Sequence, residues 1–445
     1  LHAKAVARAP LPDQASGVAR GEPETTANQL RVLPRMLLFP ARVAVEVVDA
    51  PVRGALYVYD RYQLKARARD IFFNEDGTVG FYPVAEVNSD YGFTGGARFI
   101  TRDLFGDGEQ VSLRASFGGR YNYEASASAH TGDRFSKYVR LSGEAEYEVD
   151  PKDRFFGIGN GDEVGMVAAP VDPYSGEVAV DTRFRQRVGR TFGRARVKLF
   201  GPLSVRLSSG ALWKEFESPS PGDITSGDDI ADSYETDALT GFERGVSYGY
   251  HEVELRYDSR DAASDYEPFS RPSTGWFIAG YGGVARDFAR APVRYNRYGG
   301  DVQRYFRLAE GPRVLLLRVQ AEEIRGEQEE IPFVDLPRLG GPRYLRGYAS
   351  DRFRDRAMAL GSVEYQWDLT RSFAAYLFVD AGRVYPTLTE ATLEDLRAGY
   401  GGGLEMQGWH SYLGRLNLAS SIDGGFFLNL SFDPVYEPQK RLERD

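Results

Sequence analysis

Residues that could do chemistry in this chain are concentrated in one stretch. Leu339-Gly340-Gly341-Pro342-Arg343-Tyr344-Leu345-Arg346-Gly347-Tyr348 is followed by Glu364 and then by Phe378-Val379-Asp380-Ala381-Gly382. An arginine in a turn precedes two carboxylates, each on the polar face of an alternating strand. The available chemistry is ionic holding, because a guanidinium offers a planar fork of donors that fits a carboxylate. That order of residues predicts a loop folded back into a barrel.

Other motifs carry less. The histidines, His2, His130, His251 and His410, are far apart and no cysteine accompanies them, so a zinc site is not expected. Gly245-Val246-Ser247-Tyr248-Gly249 matches the string of a nucleophile elbow without the strand, turn and helix that such an elbow needs. Gly157-Ile158-Gly159-Asn160-Gly161 resembles part of a phosphate loop, but no helix or lysine follows, and it reads as a turn. A lipid hydrolase using Ser, His and a third polar residue on an outer wall is not assembled by any spacing. No catalytic residue, metal site or cofactor is expected.

The elements that must position the arginine and its acids are strands. The 49 glycines, 27 tyrosines and 27 phenylalanines, against four methionines, favour short strands and tight turns. No apolar run reaches the roughly 18 residues of a membrane helix. Basic residues, only seven of them lysine, are interspersed with acidic ones for a net charge of -9, which argues against nucleic acid as a partner.

From 78 to 433 the chain alternates. Val139, Leu141, Ala145, Tyr147 and Val149 oppose Arg140, Ser142, Glu144, Glu146 and Glu148. The division recurs at Val253, Leu255 and Tyr257 against Glu252, Glu254 and Arg256, and at Val363, Tyr365 and Trp367 against Glu364, Gln366 and Asp368. A soluble sandwich would alternate too, with its charged face in water. The length of the span favours a membrane barrel of about 16 antiparallel strands, at roughly 22 residues per strand and connection.

Residues 1–30 read as a flexible arm, 31–77 as a periplasmic segment with two short helices, 78–433 as the barrel and 434–445 as a tail. Outer loops are expected at 157–182, 217–240, 258–274 and 324–356. The seam joins a first strand carrying Pro83, which lacks a ladder donor, to a last strand expected to begin at Gly424-Gly425 and to present Phe432.

On these motifs the chain resembles the outer-membrane assembly barrels of the BamA/TamA type, the bacterial surface antigen superfamily. Leu345-Arg346-Gly347-Tyr348 is similar to that family's loop-six signature, Phe378-Val379-Asp380-Ala381-Gly382 to its partner on the barrel wall, and Gly361-Ser362-Val363-Glu364 to its acidic motif. The resemblance implies that Arg346 pairs with Asp380, with Glu364 as a second acid, that Gly347 permits the turn, and that Tyr348 anchors it. Gly382 closes the wall motif. It further implies an integral outer-membrane protein with a periplasmic N-terminus and a lateral gate, contacting lipopolysaccharide and other outer-membrane lipids, client barrels or envelope lipoproteins. The β-α-α-β-β pattern of POTRA modules is not seen in residues 1–77, which points to a short branch. Protein insertion or lipid movement is the expected role; a passive solute pore and a docking barrel for an envelope complex are the alternatives.

Overall fold

The computed structural model describes residues 71–88, 92–118, 122–161, 163–176, 178–220, 227–261, 272–308, 313–369, 373–407 and 412–431. The expected arm, the tail, Phe432 and the two helices up to residue 70 lie outside the described residues. The chain from Phe72 onward forms one compact unit. No helix among the described residues is long and apolar enough to cross a membrane.

Sixteen main strands build a single antiparallel sheet. They are β1 (Val79–Asn88), β2 (Gly92–Arg102), β3 (Gln110–Gly118), β4 (Asn122–His130), β5 (Val139–Phe155), β6 (Thr182–Lys198), β7 (Leu203–Glu217) and β8 (Val246–Asp258). The remainder are β9 (Gly275–Arg290), β10 (Arg294–Arg307), β11 (Arg313–Arg325), β12 (Ala357–Asp368), β13 (Phe373–Tyr385), β14 (Arg397–Gln407), β15 (Tyr412–Ser421) and β16 (Phe426–Ser431). Each pairs with its sequence neighbour, the meander that a closed transmembrane barrel requires so that hydrocarbon meets no unsatisfied backbone.

Burial along the strands runs opposite to that of a soluble sheet. On β8, Glu254 is 0% exposed while Leu255 is 51% exposed. Glu364 and Val363 on β12 repeat the inversion, as do Arg318 and Val319 on β11. Charges on the inner face are paired across strands: Arg206 with Glu254 at 2.8 Å, Arg318 with Asp301 at 2.7 Å, and Arg297 with Glu322 at 2.7 Å. Such pairing is what allows charge to be enclosed, since an isolated buried ion would be prohibitive. The exposed outer face is apolar, as a lipid-facing wall must be. This inversion overturns the sandwich alternative.

Strand alternation also sorts the connections. Those at 156–181, 218–245 and 326–356 fall at one mouth, whereas 259–274, between β8 and β9, falls at the other, so the four expected outer loops do not share one side. An apolar cap covers the first mouth. Phe333 of the 326–356 connection, here called loop six, is fully buried at its centre. Its ring lies 5.0 Å from Phe216, 5.3 Å from Phe184, 5.5 Å from Phe155 and 6.2 Å from Phe242. Gly157 to Gly161 forms a strap across this cap, where the Asn160 side-chain amide pairs with both backbone groups of Val384, donating at 2.9 Å and accepting at 3.3 Å.

At the boundary between the first and last strands, β1 aligns with β2 over ten residues, and the described part of β16, which ends at Ser431, aligns with β15 from Arg415 to Ser420. Strands β1 and β16 approach within 8 Å, and among the described residues no ladder joins them. Pro83 sits mid-strand opposite Ala97. Gly424 and Gly425 precede β16 rather than starting it; with φ of 91° and 86° they form the turn after β15, a left-handed conformation that strand pairing does not accommodate.

Candidate functional site

Loop six makes a sharp turn at Leu345 to Gly347. Leu345 is fully buried with φ 65°, an uncommon conformation for leucine, and Gly347 has φ 96°. The turn drives Arg346 into the wall and buries it to 2% exposure. Its Nε and Nη2 each donate to Asp380, to Oδ2 and Oδ1, both at 2.7 Å. The Arg346 backbone N–H adds a third bond to Asp380 Oδ2 at 3.0 Å, and Nη1 donates to Glu364 Oε2 at 2.7 Å. The guanidinium carbon also lies 3.6 Å from the centre of the Phe378 ring.

Glu364 is shared. Its other oxygen accepts from Arg415 of β15 and from Gln366 Nε2, the latter at 2.7 Å. Arg415 in turn lies over the Tyr376 ring, 3.9 Å from its centre. One loop arginine is therefore tied to β12 and β13 directly and to β15 through a carboxylate bridging two guanidiniums. Bidentate fork geometry and enclosure make this the strong form of a charged hydrogen bond.

Glycines supply the room. Cβ atoms on Gly347 and Gly399 would overlap the Ser420 and Arg346 carbonyls, so loop six lies against β14 and β15 backbone to backbone. A Cβ on Gly382 would stand 2.7 Å from the Ala359 carbonyl and 3.1 Å from Leu339, so bare wall at Gly382 is what seats the start of the motif. Tyr348 is buried, packs edge-on against Phe353 and donates to Asp423 at 2.9 Å, beyond the end of β15.

The structure thus brings Arg346, Gly347, Tyr348, Glu364, Asp380 and Gly382 to one region of the inner wall, and places Pro83 in β1 and Gly424 and Gly425 in the turn before β16. Sequence reasoning did not single out Arg415 or Gly399, and it named Phe378 as the start of the wall motif without its role as the ring under Arg346. The signal was present for Phe378, two residues before Asp380 and hence on the same face; the Gly399, Gly401 and Gly403 alternation on β14 was a second such signal.

The other motifs resolve differently. Ser247 lies in β8, within a ladder and without an elbow. Ser209 and His251 are register partners on the exposed outer wall, with Oγ and Nδ1 2.9 Å apart. The sequence had not placed this pair together. It satisfies two polar groups on an apolar face, and the backbone around it is engaged in the sheet.

A barrel whose main strands are antiparallel, with charge inside, apolar surface outside and an arginine-locked loop in its lumen, defines the outer-membrane barrel class. Residues 103–420 match the Omp85 superfamily domain, and the chain belongs to that superfamily. Among solved structures it is similar to BamA from Haemophilus ducreyi lacking POTRA domains 1–3, at 14% identity and a TM-score of 0.55, covering 79% of this chain and 69% of that one. CdiB from Acinetobacter baumannii gives 14% identity and a TM-score of 0.45, with coverage of 80% and 57%. CdiB from Escherichia coli gives 10% and 0.46, with coverage of 80% and 60%. No curated protein sequence matches the chain.

Proposed function

We propose that this barrel assembles client β-strands into the outer membrane at the boundary between β1 and β16, with the N-terminus on the periplasmic side. The observation that carries the reading is the position of the Arg346 lock. It fastens loop six to β12 through β15, the wall that runs into that boundary, and Tyr348 reaches the turn from which β16 departs. Among the described residues β1 and β16 share no ladder, so each presents an edge that an incoming strand could extend by backbone pairing. The apolar cap centred on Phe333 disfavours a solute pore, which would need a watery path through the outer mouth.

The chain contains no cysteine, so an introduced thiol pair is unique. Cysteines replacing Phe81 on β1 and Leu428 on β16, both on exposed strand faces, can be bridged with a short bifunctional thiol reagent. Bridging is expected to stop assembly of a barrel client in reconstituted vesicles while the protein keeps its heat-resistant folded form. Unchanged client assembly in the bridged barrel would overturn the seam reading. Large, steady single-channel conductance of the unmodified protein would favour the pore.

A further inference from the structure

Loop six has another buried polar contact, on the wall away from the seam. Asp335 lies in a single turn, Phe333–Asp335, eleven residues before Arg346, and is 3% exposed. Its carboxylate accepts from Lys214 of β7, from Tyr248 of β8 at 2.7 Å and from Tyr295 of β10 at 3.2 Å. Its backbone carbonyl accepts from Arg297 of β10, whose other arm holds Glu322 of β11 at 2.7 Å. Three strands, β7, β8 and β10, therefore converge on one loop residue, and β11 joins them through Arg297.

We infer that Asp335, Lys214, Tyr248 and Tyr295 form a second, independent clamp, and that loop six is a strap across the lumen with two separately releasable ends. Arg346 binds the wall that runs toward the last strand, and Asp335 binds strands farther from it, on the other side of β11. The two sites share no side chain: the first uses β12, β13 and β15, the second β7, β8 and β10. Between them the chain turns at Gly340 and Gly341, with φ of 115° and 86°, so that the Arg346 turn forms the tip of a hairpin whose base, on the Asp335 side, is a separate ladder pairing Arg338 with Arg354 and Leu339 with Phe353. The cavity beneath the strap is lined by residues of both halves, including Asp335, Arg338 and Tyr344, together with Lys214 and Arg297 of the wall. Release of the Arg346 end would thus open the lumen toward the seam while Asp335 still holds the cap over the outer mouth.

This inference rests on loop six being a held element in the assembly reading, but its test does not use assembly activity. Full-length barrel in detergent is digested with trypsin, and cuts after Arg338 and Arg343 are timed by mass spectrometry, with heat-resistance on gels as the check of folding. Asp335→Ala is expected to speed cutting at Arg338 by about a hundredfold, since one partner of a buried pair is lost and cutting follows the open population. Arg346→Ala is expected to speed cutting at Arg343 and leave Arg338 protected. If Asp335→Ala does not fold, the double variant Tyr248→Phe and Tyr295→Phe removes two donors and keeps Lys214, with a smaller rise at Arg338 expected. Equal acceleration at both sites by either single variant, or protection at Arg338 in the folded Asp335 or tyrosine variants, would overturn the two-clamp inference. Failure of client assembly alone would bear on the seam and leave the clamp standing.

Discussion

The two ends of loop six are held by different chemistry. At Arg346 a rigid fork meets a carboxylate in two parallel bonds, the backbone N–H adds a third, and glycine on β14 lets main chain touch main chain. At Asp335 a single carboxylate sits among an ammonium and two phenols, whose hydroxyls and Nζ can rotate to follow it. The first arrangement fixes orientation as well as position. The second fixes position and tolerates turning. A strap built this way has a shaped end on the wall that runs toward the last strand and a swivelling end on the other side of β11.

The largest effect should come from breaking the shaped end. Arg346→Ala leaves Asp380 and Glu364 enclosed without their loop partner, a loss of about 3–5 kcal/mol for a buried pair. Asp380→Asn should approach that loss, because Glu364 is shared with Arg415 and only partly compensates. The check is the temperature at which the folded gel band converts to the unfolded one. A wild-type transition in both variants would mean that the fork does not hold the loop.

The swivelling end leans on packing instead. Phe333, two residues before Asp335, contacts four phenylalanines, and Phe333→Ala should cost about 3 kcal/mol through lost burial and the cavity left behind. Trypsin should then cut after Arg338 sooner than after Arg343, opposite to the order in Arg346→Ala. The same order in both variants would collapse the distinction between the two ends.

How far the sequence disclosed this differs between the ends. The shaped end was legible because its parts are local: Arg346 and Gly347 are adjacent, and Glu364 and Asp380 sit on strands whose alternation assigns the inner face. The barrel was legible for the same reason, since strict alternation on β8 and β12 states which side is apolar. Asp335 was not, because Lys214, Tyr248 and Tyr295 lie 121, 87 and 40 residues away and no period connects them. Alternation also leaves a turn invisible to position: it could not tell that Gly424 and Gly425 bend before β16, or that 259–274 lies at the other mouth from loop six.

The smallest expected effect is electrostatic and tests the last residues of loop six, just before the chain enters β12. Burial raises Asp355 from its ordinary carboxyl range to about 6; the bonds and charge of Arg356 partly offset this, and Glu390 adds to it. A carboxyl whose folded value is raised disfavours the fold when ionised. The penalty is absent below about pH 4, the unfolded value, grows as pH rises toward 6, and is complete above it. Asp355→Asn removes that penalty and should stabilise the barrel by about 1 kcal/mol at pH 7.5, after allowance for screening at a half-buried site. At pH 3.5 variant and wild type should melt together. Because Asp355 lies beyond the Arg346 turn and takes no part in either clamp, trypsin should cut Arg338 and Arg343 in the variant at wild-type rates. A change at Arg343 alone would mean that the entry to β12 belongs to the shaped end, and that the charge of Asp355 weakens the lock at neutral pH.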